Sequence, residues 1–363
     1  MRLLHTELFQ FEEFFDSDIP TYAILSHRWE GKEISFQELQ DSKDKSGAGF
    51  SKIRNFCSLA RSEGFKWCWI DTCCIDKKSS AELSEAISSM FRWYANAQAC
   101  YAYLPDVVWI KDKTGVLRWS RDRFEQSAWF TRGWTLQELL APETVIFYDS
   151  RWQYIGTKGL LMEEISAVTG IPGMCLYEPS DARRASVAMK MSWASSRETS
   201  RQEDIAYCLM GLFNINMPLL YGEGGKAFLR LQLEIIKQSD DESIFAWTSP
   251  SNITGLLSGL LATQPSSFAE SGDIRPKVYS DRPPYSMTQK GLAIHVPVTA
   301  NRDQLKFTLN CCTGSDLPIT VDLRKSRDTW YRYDYMSIWF GQADSERKKQ
   351  VQTLAYVPQL DDD

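Results

Sequence analysis

Glu138 follows Trp134 by four residues in the stretch FTRGWTLQELLAP, residues 130–142. On a helix that spacing sets the carboxylate and the indole on one face, where an acid beside an aromatic wall is a candidate for catalysis. Glu138 also closes Thr135-Leu-Gln-Glu138, the spacing of a capping box. In that reading the carboxylate satisfies the start of a helix, which begins at Thr135, and does no chemistry. The stretch by itself leaves both readings open.

Other chemistries find less support. Cys73 or Cys74 with His27 would make a thiol–imidazole pair, though nothing in the spacing requires it. No G-x-S-x-G elbow for a serine nucleophile occurs. YGEGGKAF, residues 221–228, has the look of a phosphate loop opening a helix. The Walker pattern, however, needs Gly six positions before Lys226 and Ser or Thr after it, where the chain has Leu220 and Ala227. A plain turn before a helix is expected. The three histidines, His5, His27 and His295, are far apart, and Cys68, Cys73 and Cys74 lack a second CxxC pair, so no metal is expected and the cysteines read as buried apolar residues.

The elements that must hold these residues follow from hydrophobic pattern. YAILSHRWE (22–30) reads as a buried strand running into a loop, and KWCWIDTCCID (66–76) as a second with an acidic exit. ACYAYLPD (99–106) and ETVIFYDSRW (143–152) make a third and a fourth. Helices are expected at 49–64, with apolar residues at 53, 56, 59 and 60 and a stop at Gly64, and at 79–97, with Leu83, Ile87, Met90 and Tyr94 on one stripe. GWTLQELL supplies another, and 107–126 is a polar insertion. Strands alternating with helices predict a parallel sheet covered on both faces. Ligands of such sheets bind beyond the carboxyl ends of the strands. Those ends carry Ser26, His27, Arg28 and Trp29, then Asp71, Thr72, Cys73 and Cys74.

Residues 160–240 read as mostly helical. Ser, Pro and Gly near 250 suggest a boundary, after which GLAIHVPV, KFTLNCC, LPITVDLR, YMSIWFG and TLAYVPQ read as strands of a small antiparallel domain. The division expected is 1–248, with an α/β core at about 20–155 and a helical extension at about 156–248, then a β-rich 249–363.

Composition bounds the function. The chain has 363 residues, 43% hydrophobic and 24% charged, ordinary for a soluble globular protein, with 13 Trp to fill its core. A net charge of −6 without a basic stripe argues against nucleic acid as the main partner. Nine scattered cysteines do not form a secreted disulfide framework. No run approaches the roughly 20 apolar residues that span a bilayer, and the N-terminus offers no signal-peptide core. A cytoplasmic protein is expected.

YAILSHRWEGKEISF, KWCWIDTCCIDKKSSAELSEAISSMFRWYANAQACYAYLPD, SAWFTRGWTLQELLAPETVIFYDSRW, SRQEDIAYCLMGLFNINMPLLYGEGGKAFLRLQLEII and DESIFAW occur in that order. Together they resemble the heterokaryon incompatibility (HET) domain of filamentous fungi, over about residues 22–247. The resemblance implies programmed cell death when unlike hyphae fuse, and a context of receptor-like proteins with a nucleotide-binding oligomerisation module and repeats. The order of features also resembles a TIR domain, which implies a flavodoxin-like parallel sheet, self-association, and cleavage of NAD between nicotinamide and ribose. SAWFTRGWTLQELL resembles the TIR segment S-x-W-C-x-x-E-L, with Thr135 in place of its Cys. Carried over, Glu138 is the catalytic carboxylate, Trp134 part of the pocket wall, and Arg28 and Trp29 part of the loop over the nucleotide. Ser26 and Asp71, at the strand ends, join them as nucleotide-binding candidates. The TIR-like reading starts the helix near Phe130, about one turn before a capping box would. NAD would be substrate, with no cofactor. Its nicotinamide departs as a pyridinium that is already cationic, so no leaving-group acid is needed. One carboxylate can then hold the ribose hydroxyls and stabilise the oxocarbenium charge. The alternative is a TIR-like module that signals by self-association without catalysis.

Overall fold

A computed structural model describes residues 1–29, 31–41, 48–111, 117–248, 259–277, 285–288, 291–301, 304–326, 329–332, 339–340 and 349–355. The chain forms two compact units. The first comprises residues 1–183, 197–199 and 207–219, and the second residues 184–196, 200–206 and 220–363.

In the first unit the chain runs through β1 (Arg2–His5), β2 (Phe11–Glu13), β3 (Tyr22–His27), α1 (Phe36–Asp41), α2 (Ala48–Ser62), β4 (Trp67–Trp69), α3 (Ser80–Asn96) and β5 (Ala99–Tyr103). A hairpin of β6 (Trp109–Lys111) and β7 (Leu117–Trp119) and a short α4 (Arg121–Glu125) occupy the expected polar insertion. Then come α5 (Thr135–Leu140), β8 (Val145–Tyr148), β9 (Tyr154–Thr157), α6 (Met162–Thr169) and α7 (Gly173–Tyr177).

Seven of the strands pair in the order β2-β1-β4-β3-β5-β8-β9. The inner four, β4-β3-β5-β8, are parallel and are the four expected strands. β1, β2 and β9 add antiparallel edges that the apolar pattern does not announce. They are short, and β2 and β9 carry exposed residues, so they lack the continuous apolar run that marks a doubly covered strand.

Side-chain alternation puts helices on both faces. On β4, Cys68 meets Cys57 of α2 at 3.6 Å, whereas Trp69 packs edge-on against Trp93 and Tyr94 of α3. On β5, Tyr101 faces Phe56 of α2, and the next side chain inward, Cys100, faces the carbonyl of Glu138 on α5. This period of two is what a strand buried between two helical layers requires. α3 starts on a Ser79 side-chain cap that accepts from the Glu82 N–H, and Tyr22 and Tyr94 tie it to β3 through hydrogen bonds between α3 and β3 backbone and side chains.

Along the chain the parallel strands run first outward from β3 to β4 and then back across to β5. The order therefore reverses between β3 and β5, and the crevice of such a sheet opens at the carboxyl ends of those two strands.

The chain continues through α8 (Pro179–Arg184), α9 (Val187–Ser192), α10 (Asp204–Tyr207), α11 (Met210–Phe213) and α12 (Lys226–Gln238). In the second unit, β10 (Arg275–Pro276) and β11 (Ser286–Thr288) precede β12 (Gly291–Asn301), β13 (Gln304–Cys312), β14 (Pro318–Ser326), β15 (Thr329–Arg332), β16 (Trp339–Phe340) and β17 (Lys349–Ala355). The β-rich tail is not wholly antiparallel. β12, β13, β14, β15 and β17 pair in a closed cycle, completed by one parallel bridge between Trp330 and Ala355. The stretch at 249–258, where the sequence suggests a domain boundary, lies outside the described residues.

The Gly-rich turn before α12 belongs to this unit. Gly222 and Gly224 both take positive φ, and their N–H groups donate to Glu203 at 2.7 and 3.1 Å. The donors that a phosphate would need are held by the protein's own carboxylate, as expected for a plain turn.

Candidate active site

Ser26, the penultimate residue of β3, is fully buried and donates to Glu138 Oε2 at 2.5 Å. Its hydroxyl oxygen accepts from the Trp129 indole N–H at 2.8 Å. Trp129, 1% exposed, is itself fixed by edge contacts with Phe130 and Phe147. The chain Trp129–Ser26–Glu138 sets the carboxylate beside the end of β3, where the strand order reverses. Tyr94 closes the same wall, with its hydroxyl donating to the Leu25 carbonyl at 2.9 Å.

Glu138 is 6% exposed. Burial pushes its pKa up to about 7; the Ser26 hydrogen bond and the charge of Arg132 pull it down, and the negative Asp71 adds to the rise. A carboxylate that titrates near neutrality beside a strand-end crevice is the pattern of a functional acid or base.

The capping-box reading fails on geometry. α5 does begin at Thr135, with Trp134 already in helical dihedrals at the N-cap. The Thr135 hydroxyl, however, donates to the carbonyls of Trp129 at 2.6 Å and Arg132 at 2.8 Å, and Glu138 reaches across to Ser26. Residues 128–131 form turns, so α5 does not extend back to Phe130 as the TIR-like reading expects. Trp134 is half-buried one turn before Glu138.

A second group gathers beyond β3 and β4. Trp29 is exposed and donates its indole N–H to Asp71 Oδ2 at 2.7 Å. Lys77 Nζ sits 3.6 Å from the centre of that ring, and the Arg132 guanidinium 5.3 Å from it. His27, 3% exposed, lies 3.7 Å from Asp71 and 3.9 Å from Glu33, and neither ring nitrogen has a hydrogen bond among the described residues. Burial pushes its pKa down to about 4, against the pull of Asp71 and Glu33, so it is neutral at physiological pH. Asp71 is pushed up by burial, but His27, Lys77 and Arg132 outweigh that and hold it below the usual carboxylate range. Arg28 is exposed at the start of the loop.

The structure thus joins Ser26 to Glu138 and Trp29 to Asp71. Sequence reasoning missed Trp129, Tyr94, Lys77, Arg132 and Arg197. Arg197 donates to the Arg132 carbonyl at 2.9 Å and to the Thr135 hydroxyl at 3.0 Å, bracing the segment before α5. Trp129 and Arg132 sit within five residues of Trp134, but only the fold reveals that Trp129 meets β3 and Arg132 the Trp29 ring in the loop after it.

The thiol reading loses ground here. Cys73 is fully buried, and burial, with neighbouring thiols, holds its pKa well above the ordinary value, so the nucleophilic thiolate is disfavoured. Among the described residues no His, Cys, Asp and Glu group could hold a metal, and no helix is long and apolar enough to cross a membrane.

The chain has relatives in sequence. Residues 22–118, which include Ser26, Arg28, Trp29 and Asp71 but stop short of Trp134 and Glu138, match the family described as heterokaryon incompatibility protein (HET). The chain is also similar to the vegetative incompatibility protein HET-E-1 of Podospora anserina. The two are 47% identical over 223 residues, which is 60% of this chain and 16% of that protein. The chain therefore spans about one sixth of the length of the relative it matches. No solved structure matches it.

Proposed function

We propose that the chain is an effector of heterokaryon incompatibility that acts through a TIR-like core, cleaving NAD at the nicotinamide–ribose bond with Glu138 as the catalytic carboxylate. The observation that carries the reading is the placement of Glu138: nearly buried, aligned by Ser26 and Trp129, and at the reversal point of the parallel sheet. The likeness to HET proteins supports the biological setting. The order of the parallel strands, with the first in chain order flanked by the second and third, supports the TIR-like core.

In the reaction the bond between the nicotinamide nitrogen and the ribose anomeric carbon breaks, and its electron pair leaves with nicotinamide. The ionised Glu138 stabilises the positive charge that develops on the ribose. Water then adds to the anomeric carbon and loses a proton, giving ADP-ribose. Purified protein at high concentration is expected to release nicotinamide from NAD, and Glu138→Gln to abolish the release. Equal release by the variant overturns the role of Glu138, and no release by either protein overturns the activity.

A second reading has an observation of its own. Leu160, Met174 and Tyr177 of the first unit are each more than 70% exposed, unusual for large apolar side chains. They suit a surface for self-association, or for docking to a receptor-type protein with nucleotide-binding and repeat modules, as the HET resemblance implies. In this reading the Glu138→Gln protein still kills cells when expressed.

A further inference from the structure

Trp29, Lys77 and Arg132 come from three separate parts of the chain: the loop after β3, the turn before α3 and the segment before α5. Cations are usually found paired with acids or spread over a solvated face. Here two converge on one indole, with Lys77 Nζ 3.6 Å and the Arg132 guanidinium 5.3 Å from its centre. Among the described residues neither cation lies within ion-pair distance of a carboxylate. The indole is not left unrestrained either, because its N–H donates to Asp71 at 2.7 Å. Nor is the Arg132 backbone free to move. Its carbonyl accepts from Arg197 and Thr135, and its segment pairs with residue Glu198 through a parallel bridge.

Two cations gathered on a partly exposed aromatic, against the single Asp71 carboxylate that its indole holds, make a candidate anion site. Its position gives the anion a context. Arg132 acts electrostatically on Glu138 as well as on Asp71, and Lys77 acts on Asp71, so the cluster adjoins the candidate carboxylate at the same strand-end crevice. We propose that Lys77 and Arg132, gathered on Trp29, bind phosphate groups of the substrate, which makes that substrate a phosphate-bearing nucleotide and not a free nucleoside. The inference deepens the NAD-cleaving reading and rests on it for the identity of the reacting bond, but the phosphate site itself is separable from turnover.

The test therefore measures binding in Glu138→Gln protein, where no turnover interferes. ADP-ribose and adenosine are titrated in turn by calorimetry. In the Glu138→Gln background, Lys77→Gln and Arg132→Gln each weaken ADP-ribose binding at least fivefold, and together at least twentyfold, and the ADP-ribose affinity falls steeply with added salt. Adenosine affinity is the same in all four proteins. Thermal unfolding of each variant guards against a general loss of fold; Lys77 is exposed, so Lys77→Gln carries the test if Arg132→Gln is unstable. Equal ADP-ribose affinity with and without Lys77 overturns the proposal, as does a parallel loss of adenosine binding. If the phosphate dependence appears but the wild-type protein releases no nicotinamide, the phosphate site stands and the cleavage reading falls.

Discussion

Glu138 is kept in a place that is costly for a charge, and the cost has a sign that can be measured. Its folded pKa of about 7 lies above the ordinary 4.5, with burial the main cause. A group raised in this way contributes stability that is fully present below about pH 4.5 and is lost as pH rises through 7. Glu138→Gln keeps the size and can still accept the Ser26 hydrogen bond, but never ionises. The variant is therefore expected to match the wild type near pH 4 and to exceed it at pH 8 by on the order of 3 kcal/mol, read as a higher Tm. His27 has the opposite slope: its folded pKa of about 4 gives stability that is present above 6.5 and lost as pH falls through 4. Both proteins carry His27, so its effect cancels in the difference. A Tm difference that stays flat from pH 4 to pH 8 would show that Glu138 is not buried as described. The same titration governs catalysis. If the ionised form stabilises the oxocarbenium, nicotinamide release rises with pH through about 7, and a falling profile would assign Glu138 the role of an acid instead.

At the scale of elements, the segment before α5 depends on a close side-chain approach to Gly133 that leaves no room for a Cβ. A Cβ on Gly133 would lie 2.5 Å from Thr199 Cγ2 and 3.1 Å from Cys208 Sγ, and the Gly133 N–H donates to the Glu198 carbonyl at 2.8 Å. Gly133→Ala must displace the Thr199 and Cys208 side chains that pack against the segment carrying Arg132 and Trp134. The expected cost is about 1–3 kcal/mol, typical of overpacking. Denaturant unfolding checks it, and an unchanged midpoint would mean the 197–199 segment yields freely. Such long-range support explains what the sequence could and could not show. The four parallel strands and the helices α2 and α3 were legible because each carries its own period. The apolar face of α3 and its Ser79 cap are written within 18 consecutive residues. The candidate carboxylate was legible too, as a Glu one turn after a Trp. Its partners were not, because Ser26 meets Glu138 over 112 positions of sequence and Trp129 meets Ser26 over 103. Nothing local encodes a hydrogen bond of that span. The edge strands β1, β2 and β9 were missed for a related reason: they are three or four residues long and are defined by the neighbour they pair with.

Across the whole molecule the cysteines discriminate between the chemistries. None of the nine is in a disulfide, and eight are buried; Cys312 alone is half-buried, with its thiol 3.8 Å from Asp316. Burial raises the thiol pKa at Cys68, Cys73, Cys100 and Cys311, so these side chains behave as small apolar groups that fill the core. A thiol in such a setting reacts slowly, because alkylation needs both access and a thiolate. Native protein treated briefly with iodoacetamide is expected to take up at most one label, at Cys312, and denatured protein to take up nine. Intact mass and peptide mapping read the difference. Rapid labelling of Cys73 or Cys74 in the native protein, with loss of toxicity, would restore the thiol pair with His27 as the reacting group and remove the reason for placing the chemistry at Glu138. Labelling confined to Cys312 leaves the carboxylate beside β3 as the candidate site, and makes the pH dependence of the Glu138 variant the measurement that decides what it does.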